Sequence, residues 1–275
     1  MPISLPITIR NLTQSEFDER DRVVMRCAYD AQNELGRLCD ERVYENDLSL
    51  RLQAAGMTQV HAQVPVTVSH EGFGKCYRLD LVAEDALYEL KTVTELVGAH
   101  DAQSFHYAML ADVNQVKLLN FRSAKVQGRL RFNAMTLEAR RRMKWETTCL
   151  RPLSKSCGLL EERLRSMMSD WGGFLDSRLY EEALIHFAGG ESQVVRRVPI
   201  FRDEHELGSH TVNQHAEDLC FVVTAFSDAR AQQSHYERLL RLTGLRGMQW
   251  FNLNHATIEC MTLEEKRQMD GVRRI

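Results

Sequence analysis

A chain of 275 residues, 44% hydrophobic and 27% charged, suits one large domain or two small ones and is apolar enough for a packed core, which excludes a disordered chain. Its 35 Lys and Arg against 38 Asp and Glu leave a formal net charge of -3, so no global basic field points to a polyanionic partner, although a local basic groove is not excluded. No run of about 18 apolar residues offers a membrane span, and seven cysteines without a C-x-x-C pair fit reduced thiols better than a disulfide framework or a zinc site.

The apolar spacing of Val23, Val24, Cys27, Ala28 and Ala31 predicts a helix over 15–35. A second helix follows over 40–55, carrying Val43, Leu48, Leu50 and Leu52, with Gly56 as its stop. The period then shifts from 3.6 toward 2, and 63–68, 77–83 and 86–91 read as short strands rich in Val, Leu and Tyr. Residues 102–110 return to helix, and 116–121 form a buried strand of the kind found in parallel pairing. The stretch 144–156, with Pro152, Ser154, Lys155 and Ser156, reads as a linker. The opening segment MPISLPITIR has neither the basic start nor the apolar run of a signal peptide, so a cytoplasmic location is the expectation.

Compared with itself, the chain repeats weakly from about residue 36 and again from about 172. Asp40-Glu41-Arg42-Val43-Tyr44-Glu45 is echoed by Asp176-Ser177-Arg178-Leu179-Tyr180-Glu181, and Val64-Pro65-Val66 by Val198-Pro199-Ile200. Ala83-Glu84-Asp85 recurs as Ala216-Glu217-Asp218. Gln103, His106 and Tyr107 recur as Gln232, His235 and Tyr236, and Met135-Thr136-Leu137-Glu138 as Met261-Thr262-Leu263-Glu264, each followed by a basic stretch and a Met. Collinear order predicts a tandem duplication, with domains at 1–143 and 157–275 joined by 144–156. Each copy is expected to run helix, helix, three strands, helix, strand, strand, helix.

Glu84-Asp85 can serve as a two-residue hairpin turn, which sets Asp80 directly opposite Glu89. Lys91 shares a strand face with Glu89, while Leu79, Leu81, Leu87 and Leu90 are expected to point to the other side. Two carboxylates facing each other are unfavourable unless a cation lies between them, and oxygen ligands suit Mg²⁺ or Mn²⁺. A divalent cation beside a lysine supports hydrolysis of a phosphodiester, the metal acidifying a water and the ammonium orienting it or neutralising developing charge.

The pattern Asp80-x₈-Glu89-Leu90-Lys91 resembles the core of the PD-(D/E)XK nuclease superfamily. The stretch from Leu35 to Phe132 is similar to its GxxExxY branch through Leu35-Gly36, Glu41, Tyr44-Glu45, Asp80, Glu89-Leu90-Lys91, His100, Gln103, Tyr107 and Leu118-Leu119-Asn120-Phe121. Leu38 stands where the glycine of that motif would be. The resemblance implies that Asp80 and Glu89 bind metal, that Lys91 serves the attacking water, that Glu41 completes the acidic cluster, and that Gln103 approaches the metal shell or the phosphate. Gln103, His106 and Tyr107 also share a helical face by spacing alone.

In the second copy the corresponding positions are Ser177, Asn213, Val222 and Thr224, with Gln232 retained. An amide, an apolar residue and a hydroxyl cannot supply the charge a dication needs, so a degenerate domain is expected. Arg122, Lys125, Arg129, Arg140 and Arg141 are candidate nucleic-acid contacts, weighed against the alternative of solvated surface. His205, His210 and His215 have a spacing that does not converge on a metal, and Trp145, Trp171 and Trp250 read as core or domain-interface residues rather than base-stacking platforms. The expected architecture is α/β: two restriction-endonuclease-like domains, each a mixed central sheet flanked by helices, in a pseudo-twofold arrangement that makes the chain an internal pseudo-dimer, monomeric as a chain. The expected activity is metal-dependent hydrolysis of DNA or RNA by the first domain; the alternative is a non-catalytic nucleic-acid-binding or assembly protein with a remnant site.

Overall fold

Thr13 opens α1 (Gln14–Leu35) with a capping box, its hydroxyl accepting from the Glu16 N–H while the Glu16 carboxylate accepts from the Thr13 N–H at 2.8 Å. Gly36, at φ +76°, ends it. After that turn α2 (Glu41–Ala54) buries Tyr44, Glu45, Leu48 and Leu52. The Tyr44 hydroxyl donates to the Gly36 carbonyl at 2.7 Å and its ring stacks on Phe121 with centroids 4.5 Å apart, tying the helix pair to the sheet beneath. This is a computed structural model describing residues 2–265, and it divides into two units, Met1–Ala139 and Arg140–Ile275. No helix among the described residues is long and apolar enough to cross a membrane.

The sheet of the first unit contains β1 (Ile3–Ser4), β2 (Val60–His70), β3 (Phe73–Ala83), β4 (Ala86–Lys91), β5 (Gln115–Asn120) and β6 (Gln127–Phe132), in that spatial order. All neighbours are antiparallel except β4 and β5, which are parallel and joined through α3 (Gly98–Leu110). All six residues of β4 are buried, as a strand covered on both faces requires. Leu81, Ala83, Ala86, Tyr88, Leu90 and Leu119 pack against α1 and α2.

Glu84 and Asp85 both adopt positive φ, +48° and +71°, the tight two-residue turn whose twist matches a hairpin. The pairs Leu81↔Tyr88, Val82↔Leu87 and Ala83↔Ala86 give the register that the turn predicts. One expectation is corrected here. Leu87 alternates with Glu89 and Lys91 and so shares their face, opposite to Leu90; the strand period leaves it no other place.

In the second unit, α4 (Leu137–Arg141) crosses the division and leads to β7 (Lys144–Glu146), then α5 (Lys155–Trp171), α6 (Ser177–Phe187) and α7 (Glu191–Val194). Next come β8 (Val195–Arg202), β9 (His205–Ala216), β10 (Leu219–Thr224), α8 (Ala229–Thr243), β11 (Gly247–Asn254) and β12 (Thr257–Glu264). Strands β8 to β12 have the spatial order and the pairing senses of β2 to β6, including a parallel pair at β10 and β11, and β7 adds in parallel to β12.

The stretch 144–156, expected as a linker, is built into this unit instead. Beyond β7, the Cys149 carbonyl accepts from the Thr262 N–H at 3.0 Å and the Arg151 N–H donates to the Thr262 hydroxyl at 2.7 Å, so the edge of the sheet fixes its backbone. The echo of Met135–Glu138 at Met261–Glu264 also fails structurally. The first lies at the start of α4 beyond the sheet, whereas the second is inside β12, paired with β11. The basic stretch and Met after Glu264, and the last helix expected there, lie outside the described residues.

Candidate metal centre

The face of the β3–β4 hairpin opposite Leu90 carries Asp80, Glu89 and Lys91, all buried, which the structure brings together. The Asp80 carboxylate is held by the Leu90 N–H, which donates to Oδ2 at 2.9 Å. Lys91 Nζ donates to Glu89 Oε1 at 2.7 Å and lies 4.0 Å from Asp80 Oδ2. Glu89 is only 1% exposed, and its second oxygen, Oε2, has no hydrogen-bond partner among the described residues. Glu41, at the first turn of α2, contributes a half-buried carboxylate that accepts from the Thr92 N–H.

Burial, then the charge of Asp80, push the Glu89 carboxyl well above the usual range against the pull of Lys91. Burial likewise raises Glu41, opposed first by Lys91, and Glu45, opposed first by Arg42. Burial works against the Lys91 ammonium, but Glu89, Glu41 and Asp80 outweigh it and its pKa is raised. Glu89 and Asp80 thus resist being ionised together, Lys91 not fully offsetting their repulsion, and a further cation between them would relieve it.

A divalent cation fits this donor set. The buried, unpartnered Glu89 Oε2 costs free energy as it stands, and a cation held with Asp80 would satisfy it. Among the described residues no three His, Cys, Asp or Glu side chains form a ready cage, so a cation here would rest on the Asp80 and Glu89 carboxylates and complete its shell with water and substrate oxygens, as Mg²⁺ commonly does.

Gln103 reaches this group through an intermediary, its amide donating to the Tyr107 hydroxyl at 3.3 Å. Tyr107 is raised in pKa by burial and also feels the charges of Glu89 and Asp80, which places it between Gln103 and the acids. His106 is buried edge-on against Tyr77, with centroids 4.7 Å apart. Two residues not assigned a role from the sequence join the cluster. Glu45 is buried and bonded to Arg42 at 2.6 Å, and Gln63 donates to both Glu45 and Asp80. The helical spacing of Glu41 and Glu45 was the available signal for the first; nothing in the sequence marks Gln63.

The basic candidates separate. Arg129 is committed to Asp101 at 3.2 Å, beside Arg131, which binds the same carboxylate at 2.9 Å. Lys125 is exposed and Arg122 half-buried. Arg140 is corrected as a nucleic-acid contact: it is 1% exposed and donates to the Trp171 carbonyl at 2.8 Å, so its guanidinium serves the end of α5 and is closed to a phosphate. Arg141 is exposed and donates to the Asp170 carbonyl at 2.8 Å.

This arrangement of strand carboxylates, adjacent lysine and flanking helices occupies a span with a recognisable family signature. Residues 18–132 match the family model of the PD-(D/E)XK nuclease superfamily. The matched span begins inside α1, ends with β6, and contains Glu41, Asp80, Glu89, Lys91 and Gln103. No curated protein and no solved structure matches the chain.

In the second unit the corresponding strand ends hold no such group. Thr224 is paired with Asn252 as Lys91 is with Asn120. Its hydroxyl accepts from Trp250 Nε1 at 2.7 Å and donates to Asn252 Oδ1 at 2.8 Å, a closed structural network. A bulge between Leu219 and Cys220 shifts the register, so Asn213 lies opposite Phe221, where counting from the turn sets it against Val222. Asn213 donates to Glu181 at 2.9 Å. Ser177 begins α6, and Gln232 lies on α8.

Proposed function

We propose that the nuclease-superfamily domain hydrolyses phosphodiester bonds of DNA or RNA with Mg²⁺ or Mn²⁺, using Asp80 and Glu89 as metal ligands and Lys91 as the residue serving the attacking water. The observation that carries this reading is the buried Glu89 oxygen left without a partner beside Asp80 and Lys91. A bound divalent cation supplies a polarised phosphoryl oxygen and an acidified water. The Lys91 ammonium orients that water or neutralises charge that develops on the phosphate, and Glu41 adds to the negative field that draws the cation in. Gln103 acts through Tyr107. Arg122, Lys125 and Arg141 are the proposed phosphate contacts that remain.

The second unit is proposed as a degenerate copy of the first. Equal strand order supports this, as does a shared local device: Tyr180 donates to the Gly172 carbonyl, as Tyr44 does to Gly36. Both glycines cap the preceding helix at similar positive φ, +74° and +76°.

The test is incubation of the purified chain with single- and double-stranded DNA and RNA in Mn²⁺. Cleavage that falls at least about 100-fold in Lys91→Ala is expected, the scale of removing one charge-stabilising group. Cleavage that survives in this variant overturns the assignment, and nucleic-acid binding without cleavage by the intact chain would favour a non-catalytic binder.

A further inference from the structure

Gln63 lies within β2 at φ +53°, a left-handed conformation that a side-chain-bearing residue rarely takes inside a strand. The β2–β3 pairing runs through Ala62↔Leu81 and Val64↔Leu79 and skips the position between them, where Gln63 stands opposite Asp80. From that break its amide nitrogen donates to Glu45 Oε2 at 2.9 Å and to Asp80 Oδ1 at 3.3 Å. Both partners are carboxylates, which only accept, so the nitrogen rather than the oxygen of the amide must face them. The remaining oxygens of the two acids are also held: Glu45 Oε1 by Arg42 at 2.6 Å and Asp80 Oδ2 by the Leu90 N–H at 2.9 Å.

We infer that Gln63 is a positioning residue of the metal centre, fixing the Asp80 carboxylate for the cation and locking Glu45 behind it as a support. The inference rests on the metal-dependent reading of the site. Glycine would occupy this backbone conformation without strain. The side chain's hydrogen bonds to Glu45 and Asp80 offset that strain, and strained conformations of this kind collect at functional sites. The two hydrogens of one amide nitrogen match two acids that would otherwise repel each other and keep only one hydrogen bond each. Groups that orient a metal ligand in this way commonly change metal affinity about 10- to 100-fold when removed.

The experiment is calorimetric titration of the full chain with Mn²⁺, with the thermal midpoint read in parallel, for the wild type, Gln63→Gly and Gln63→Met. Gln63→Gly relaxes the backbone but also removes two hydrogen bonds to carboxylates, opposing effects on the midpoint, and Mn²⁺ binding at least about 10-fold weaker is the deciding expectation. Gln63→Met keeps the length of the stem and should weaken binding similarly. A purely structural glutamine leaves Mn²⁺ affinity unchanged in both variants, wherever their midpoints fall, and that result overturns the inference. Absence of Mn²⁺ binding by the wild type would instead overturn the metal-dependent reading, and this inference with it.

Discussion

Glu89 concentrates the energetic tension of the first unit in one side chain. It is buried, opposite Asp80, with one oxygen bound to Lys91 and the other unpartnered. Such a residue costs stability as it stands, and on the proposed metal-dependent reading a cation would return that cost, a trade between stability and function. Glu89→Gln keeps the shape and removes the charge. In the metal-free variant relief of the Asp80–Glu89 repulsion is offset by the counter-charge that buried Lys91 loses, so no gain in denaturant resistance is expected, while the Mn²⁺-induced rise in thermal midpoint disappears. No Mn²⁺ stabilisation should remain from the second unit, where Thr224 is locked between Trp250 and Asn252. A persistent Mn²⁺ shift in this variant would place the cation elsewhere. The sequence made Asp80, Glu89 and Lys91 legible because a two-residue turn and a period of two are local rules. Gln63 and Tyr107 were not legible as site residues, since their roles depend on what β2 and α3 bring beside the hairpin.

At the scale of elements, the helix-ending glycines show how similar devices tolerate change differently. Gly36 and Gly172 both combine positive φ with extended ψ, a region nearly closed to other residues, and each offers its carbonyl to a tyrosine eight residues along. A Cβ at Gly36 meets nothing within 4 Å, whereas at Gly172 it would lie 2.7 Å from the Arg140 Cβ. Gly36→Ala should therefore cost about 1–3 kcal/mol from backbone strain alone. Gly172→Ala adds a clash with a buried arginine and should cost about 1–3 kcal/mol more. Urea midpoints of the two variants check this, and equal losses would show that Arg140 yields freely. The helices and strands themselves were largely readable: 15–35 and 40–55 fall on α1 and α2 within a residue, and 86–91 falls on β4. The misread elements have physical causes. Lys144–Glu146 is too short to show a period, and it becomes a strand only because the β12 edge is there to pair with it.

At the scale of the whole molecule, one titration should distinguish the second unit. His215 has Nδ1 2.9 Å from the Ser156 hydroxyl and a buried, unpartnered Nε2, and burial lowers its pKa to about 4. An ordinary histidine titrates near 6.5. Because the folded value is the lower one, the neutral ring supports folding fully above about pH 6.5, and that support is lost as pH falls toward about 4. The raised Glu89, Glu41 and Glu45 favour the folded chain as pH falls, the opposite trend, so the ring is read by difference: urea unfolding between pH 7.5 and 4.5 should show the wild type losing stability relative to His215→Gln as pH falls. An unchanged slope in the variant would remove His215 as its source.

Hairpin register, the limits of α1 and α2 and the shared strand face of Glu89 and Lys91 follow from residue order, because turn chemistry and side-chain period act over a few residues, whereas α3 begins at Gly98, four residues before the expected start. The same locality made the echo of Met135–Glu138 at Met261–Glu264 misleading, since one lies at a helix start and the other inside a strand. Tertiary structure decided which charges are spent and which remain available. Arg140 looked like a phosphate contact until the end of α5 buried it, Arg129 until Asp101 neutralised it, and Glu45 had no assigned role until Gln63 joined it to Asp80. Desolvation and pairing depend on neighbours distant in sequence, and only the folded chain brings them together.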